Sequence, residues 1–146
     1  MINEIIFKKC HCIKLENDVL KVIIIPSMGG KVACIYRKDK DFELLYQNNE
    51  TVYKRAKIYD DFSEYDVSGF DDAFPTIDES RVIIAGKEVL YPDHGEIWSA
   101  NFDYKIKREK VELLYESKTF SYKYKKTFSL LGDNITVKYE ILNIGV

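Results

Sequence analysis

From Asn101 to Ile141 the chain alternates between apolar and polar residues, and this period of two limits the fold more than any other feature. Phe102, Tyr104 and Ile106 alternate with Asn101, Asp103 and Lys105, and Val111, Leu113 and Tyr115 with Glu112 and Glu116. Phe120, Tyr122, Tyr124, Phe128 and Leu130 share a face opposite Ser121, Lys123, Lys125, Thr127 and Ser129. Gly132-Asp133-Asn134 then turns the chain into Ile135, Val137, Tyr139 and Ile141. Side chains point to opposite faces at successive positions only in a strand. Consecutive segments of this kind predict an antiparallel meander with one face on a core.

The N-terminal part reads as further strands. Ile2 to Phe7 is a short apolar segment, and Val19 to Ile25 is an almost unbroken β-branched run ended by Pro26. Such a run is the pattern of a strand buried on both faces. Ser27-Met28-Gly29-Gly30 is a turn, Val32 to Tyr36 resumes the sheet, and Arg37 to Asp41 turns into a short strand from Phe42 to Tyr46. Gln47 to Val67 fits neither helical nor strand periodicity and predicts a long surface loop, a length usually reserved for function or disorder. Val82 to Ile84 and Val89 to Tyr91, joined through Ala85-Gly86-Lys87, predict a hairpin. The class is all-β.

A net charge of -2, from 22 basic and 24 acidic residues, gives no electrostatic pull on nucleic acid. No apolar run approaches the roughly 20 residues that span a bilayer as a helix. Met1 to Cys10 lacks a signal-peptide pattern because Glu4, Lys8 and Lys9 interrupt it. Three cysteines, an odd number, do not make a disulfide framework. These features predict a soluble cytoplasmic protein with reduced thiols.

Most residues suited to site chemistry gather between Ser68 and Ser99. Asp71, Asp72 and Asp78 lie near its start, and Asp93-His94-Gly95-Glu96 precedes Trp98, the only tryptophan. The acidic loop and the His-Gly turn bracket the hairpin, which predicts that they share a rim. His94 is the candidate catalytic residue, because an imidazole gives and takes protons near neutrality. Asp93 and Glu96 flank it as carboxylates able to orient it, and Trp98 offers an apolar plate for a sugar ring. Cys10-His11-Cys12 lacks the second ligand pair of a zinc site. Asp60, Asp61, Glu64, Asp66, Asp71 and Asp72 do not follow the spacing of a calcium-binding EF-hand loop and read as a solvated loop. No metal and no cofactor is expected.

The order of these pieces resembles the aldose 1-epimerase (galactose mutarotase-like) family. Val22 to Ile25 with Pro26, Gly29-Gly30-Lys31-Val32, Glu43-Leu44-Leu45, Ser68 to Thr76, Asp93 to Trp98, and Tyr139 with Asn143 carry the resemblance. It implies a large antiparallel sandwich binding a hexose in an open cleft, and interconversion of anomers by cofactor-free acid–base catalysis. It places His94 near the sugar ring oxygen, Lys31 where members carry a basic residue, and Asp72 as a hydroxyl ligand. Glu96 and Trp98 complete the expected substrate-binding set.

In that family a second histidine follows the strand ending in a residue such as Asn143, and a catalytic glutamate lies far downstream. Residues 1–146 therefore read as the N-terminal part of such a domain, with one proton-transfer role unfilled. Two other readings stand beside the isomerase. One is a non-catalytic carbohydrate-binding module using His94, Trp98, Lys31 and Asp72. The other is an assembly domain that self-associates through exposed strands. An unfinished sandwich would leave the face of Phe120, Tyr122, Tyr124, Phe128, Ile135, Val137, Tyr139 and Ile141 uncovered, unless the meander folds back over the N-terminal strands.

Overall fold

The computed structural model describes residues 1–145, and nearly every ordered segment is a strand. Five consecutive strands form the first sheet in the order of the sequence: β1 (Ile2–Phe7), β2 (Cys10–Glu16), β3 (Leu20–Ile25), β4 (Lys31–Arg37) and β5 (Phe42–Glu43). A hairpin of β6 (Ser80–Ile84) and β7 (Lys87–Tyr91) follows as a separate ribbon. The second sheet is the expected meander of β8 (Asp103–Ile106), β9 (Lys110–Glu116), β10 (Tyr122–Leu131) and β11 (Asn134–Asn143). All these pairings are antiparallel. The fold is an all-β sandwich. No helix among the described residues is long and apolar enough to cross a membrane.

The sandwich closes because the alternating residues of the two sheets meet. Ile13, Leu15, Val22, Ile24 and Val32 from the first sheet pack with Val111, Leu113, Tyr122, Tyr124 and Phe128 from the second. The meander thus folds back over the N-terminal strands, and the aromatic face of β10 is core rather than open surface. Exposure persists further along, where Tyr139 and Ile141 on β11 remain 40% and 48% accessible.

β3 is buried on both faces, as its β-branched run requires. Its second face carries Ile23 and Ile25, which pack with Cys12, Met28, Ala33, Cys34 and Tyr53. Tyr53 comes from the long irregular segment, which lies over the first sheet and supplies a lid for that face. Burial pushes the Cys12 and Cys34 thiols up to about 12, so both are inert, weakly polar core groups. In β2, Cys12 points inward while His11 faces the other way toward Glu4, at 3.5 Å, which separates the Cys-His-Cys triplet.

The β6–β7 turn places Ala85 and Gly86 at φ 50° and 75°, a two-residue connection whose twist matches the flanking strands. At the base of this hairpin, Phe74 and Gly95 form a parallel bridge, bringing the acidic loop and the His-Gly turn together.

Candidate functional site

His94 sits on the rim at that bridge, in a left-handed conformation with φ 54°. Its backbone N–H donates to the Ile77 carbonyl at 2.6 Å, and Gly95 N–H donates to Pro92 at 3.0 Å. These bonds fix a turn that lifts the imidazole away from the sheets. Nδ1 lies 2.9 Å from Oδ1 of Asp93. An ionised carboxylate only accepts, so Nδ1 carries the hydrogen and the neutral ring presents a bare Nε2 lone pair. The side chain is 36% exposed.

Phe62 holds the ring in plane. The two rings stack with centroids 4.1 Å apart and planes 13° from parallel. Phe62 belongs to a single 3-10 turn, Phe62–Glu64, capped by Asp61, whose carboxylate accepts from Ser63 N–H at 2.8 Å. The Ser63 hydroxyl, and then the Ser63 backbone N–H, hold Asp61 below the ordinary carboxylate range. The imidazole therefore has the Asp93 carboxylate on one edge and the Phe62 ring as an aromatic wall behind it.

Trp98 belongs to the same aromatic cluster but not to its surface. It meets Phe62 edge-on at 5.1 Å and Tyr65 at 5.6 Å, and it is only 7% exposed. Packed between these rings, Trp98 supports the rim from below rather than lying open on its surface.

Glu96 also departs from expectation. It does not orient His94; its carboxylate turns into the core, 4% exposed, and accepts from Tyr115 and Tyr122 hydroxyls at 2.7 Å each. Burial, and then the adjacent carboxylate, push both phenols well above their ordinary value. Glu96 is thus the anchor of the His94 turn to β9 and β10.

Lys31 and Asp72 belong to a buried charged band beneath the paired glycines. Lys31, 1% exposed, pairs with Asp71 at 2.5 Å and donates to the Asp66 carbonyl at 3.0 Å. Asp72 pairs with Lys126 and accepts from the Tyr139 hydroxyl at 2.9 Å. Asp71 and Asp72 are 15% and 12% exposed, so this part of the acidic stretch is an ion-pair band rather than a solvated loop. No group of residues suited to a metal ion occurs among the described residues.

Phe62, Tyr115, Tyr122 and Lys126 are the partners that sequence reading missed. Lys126 left a signal: it falls on the apolar face of β10, where a charge must find a buried partner. Phe62 left none, because it stacks on His94 from a loop 32 residues away without periodicity.

A family profile described as a domain of unknown function (DUF5107) matches residues 2–97. No curated protein matches the chain. Among solved structures, a TPR-domain containing protein from Parabacteroides distasonis ATCC 8503 aligns with a TM-score of 0.59 and 23% identity, over 89% of this chain and 20% of that one. A 4-alpha-glucanotransferase from Thermococcus litoralis aligns with a TM-score of 0.57 and 15% identity, over 97% of this chain and 24% of that one. The chain thus spans a fifth to a quarter of the length of these proteins, and at such identities the likeness shows the fold alone.

Proposed function

The chain belongs to the DUF5107 family, whose description assigns no activity, and from that premise we propose that it binds a hexose at the rim carrying His94, in the manner of an aldose 1-epimerase. One observation carries this reading: an imidazole fixed by Asp93 on one side and Phe62 on a face, with Nε2 left for a ligand. A sugar supplies the matching chemistry. Neutral Nε2 accepts a hydrogen bond from a hydroxyl, and the imidazolium donates to a ring oxygen. Anomer interconversion requires both directions of transfer: the anomeric hydroxyl loses a proton, the ring oxygen gains one, and the bond between C1 and the ring oxygen opens. His94 serves the ring oxygen, and a second group takes the anomeric proton. The likeness to a 4-alpha-glucanotransferase is consistent with a carbohydrate ligand.

Trp98 provides the readout, since the only tryptophan touches Phe62, which stacks on His94. Titration with glucose and galactose should change its fluorescence, and His94→Asn should weaken the response by about tenfold, the worth of a charge-assisted hydrogen bond. Polarimetry on fresh α-anomers separates catalysis from binding. An unchanged titration curve in His94→Asn defeats the proposal.

A further inference from the structure

The long loop that carries Phe62 is closed at its neck, where Gly69 N–H donates to the Tyr46 carbonyl at 2.9 Å. Inside the neck, the backbone–backbone hydrogen bonds among the described residues are all local: Asp60 to Lys57, Glu64 to Asp61 and Tyr65 to Phe62. Tyr53 is buried, and the Asp66 carboxylate accepts from Ser68 and Asn48, so these two residues fix the shoulders of the loop. Between them no residue is buried. A stretch with no strand ladder and little buried surface opens at far lower cost than the sheets beneath it.

Among the described residues, two hydrogen bonds tie this stretch to the rim. The Tyr59 hydroxyl reaches the Leu90 carbonyl only at 3.5 Å, a weak contact. The other bond runs from Phe62 N–H to Oδ2 of Asp93 at 3.3 Å. Oδ1 of the same carboxylate holds Nδ1 of His94 at 2.9 Å, and the Phe62 ring lies on that imidazole. Asp93 thus grips, with one oxygen each, the imidazole and the backbone of the residue stacked on it. Its own main chain is anchored in turn, because its carbonyl accepts from Trp98 Nε1 at 3.4 Å.

We propose that residues 54–65 form a flap beside the His94 site and that Asp93 is its latch, a positioning residue whose single carboxylate both closes the flap and sets the imidazole tautomer. With the flap closed, Phe62 covers one face of the ring and Nε2 is the lone pair left for a hydroxyl. With it open, Phe62 leaves the ring and that face becomes accessible. The ligand so admitted is the hexose proposed above, and to that extent the inference rests on that reading.

Both duties of the latch can be read without ligand. In 15N NMR with the ring neutral, His94 should be the Nδ1–H tautomer. Asp93→Ala should shift it toward Nε2–H and speed hydrogen exchange of the Phe62 amide by about tenfold or more, the worth of a hydrogen bond to a charged group. Amides of β9 and β10 should keep their protection. Phe62→Leu removes the stacked ring but keeps the N–H, so it should preserve the tautomer and speed exchange at position 62 less than Asp93→Ala does. A tautomer that shifts without the amide, or an amide that shifts without the tautomer, overturns the proposal, since the carboxylate would then serve only one partner. An Nε2–H tautomer in the parent protein, or a Phe62 amide as unprotected there as in an unfolded peptide, overturns it even if Asp93→Ala does not fold. A protein that passes these tests and ignores glucose and galactose refutes the sugar reading and leaves the latch standing. One that binds either sugar while Asp93→Ala keeps the parent tautomer refutes the latch and leaves the sugar reading standing.

Discussion

The Tyr122 hydroxyl donates to Oε2 of Glu96 at 2.7 Å, a buried bond that ties the turn bearing His94 to the centre of the second sheet. Tyr115 holds the other carboxylate oxygen at the same distance. Glu96 N–H and Ile97 N–H both donate to the Phe74 carbonyl, so the same short segment also grips the acidic loop. The rim is rigid because its foundations lie in the core.

Replacing Tyr122 with Phe keeps the ring packing and leaves one buried carboxylate oxygen without its donor. That should cost about 1–3 kcal/mol in urea unfolding. Tyr115→Phe, nearer the surface, should cost less. The double variant should lose less than the sum, because a carboxylate deprived of both donors admits water or a proton. Strict additivity would mean that the phenols act separately and that Glu96 is no shared anchor.

Gly95 should be the least replaceable glycine of the rim. A Cβ there would lie 2.1 Å from the Phe74 oxygen, at φ 70°. Ala must break the Phe74–Gly95 bridge as well as bear the left-handed backbone, so Gly95→Ala should destabilise the fold by several kcal/mol, about 3 or more. Gly86 provides the control: its φ is 75° but nothing lies within 4 Å of the added carbon. Gly86→Ala should therefore cost only the conformational preference, about 1 kcal/mol. Equal melting shifts for the two would contradict a packing role for Gly95.

The architecture was legible where local pattern and tertiary environment agree. Alternation from Phe102 to Ile141 marked the meander, and the β-branched run of β3 marked its burial on both faces. β2 was not recognised as a strand, because Cys10-His11-Cys12 invites a metal reading and its neighbours Cys12 and Ile13 are buried on opposite faces, which hides the alternation. The rim was legible in content and not in orientation. His94 stands at the surface, whereas Glu96, Trp98 and Lys31, neighbours in the same motifs, are structural. Which way a turn residue points depends on partners such as Tyr122 and Phe62, and no spacing rule connects them to it.

Acid should weaken the fold through two glutamates. Lys14 and Lys38 hold Glu16 down to about 2, and Lys107 and Lys110, followed by Lys125, hold Glu112 down to about 2, against an ordinary value of 4.5. A carboxylate whose folded pKa is depressed stabilises the native state above its unfolded pKa and loses that contribution as pH falls toward the folded value. The loss therefore runs from about pH 4.5 to about pH 2. Asp71 acts with the opposite sign, since burial raises it and protonation relieves that penalty. Thermal melts across this window should show stability falling with acid. Glu16→Gln and Glu112→Gln should each flatten that limb and lower stability at neutral pH. A parent-like slope in the double variant would place the acid sensitivity elsewhere.

Lys126 carries the most consequential buried charge. Its ammonium is 2.7 Å from the Gly29 carbonyl and 3.3 Å from that of Gly30, pairs with Asp72, and lies 5.7 Å from the centre of the Phe102 ring. Burial draws its pKa down while Asp72 opposes that shift, so the charge depends on its partner. Lys126→Met fits the apolar face of β10 but strands Asp72 with only the Tyr139 hydroxyl, which should cost about 3–5 kcal/mol. Asp72→Asn strands the ammonium instead and should cost a similar amount. Combining the two removes both charges, leaving unmet only the glycine carbonyls that Lys126 served. The double variant should thus be clearly more stable than the sum of its parts predicts, with a coupling of about 2 kcal/mol or more in a denaturant-unfolding cycle. Zero coupling would show that Lys126 serves the glycine turn alone, and that Asp72 is free to meet a ligand.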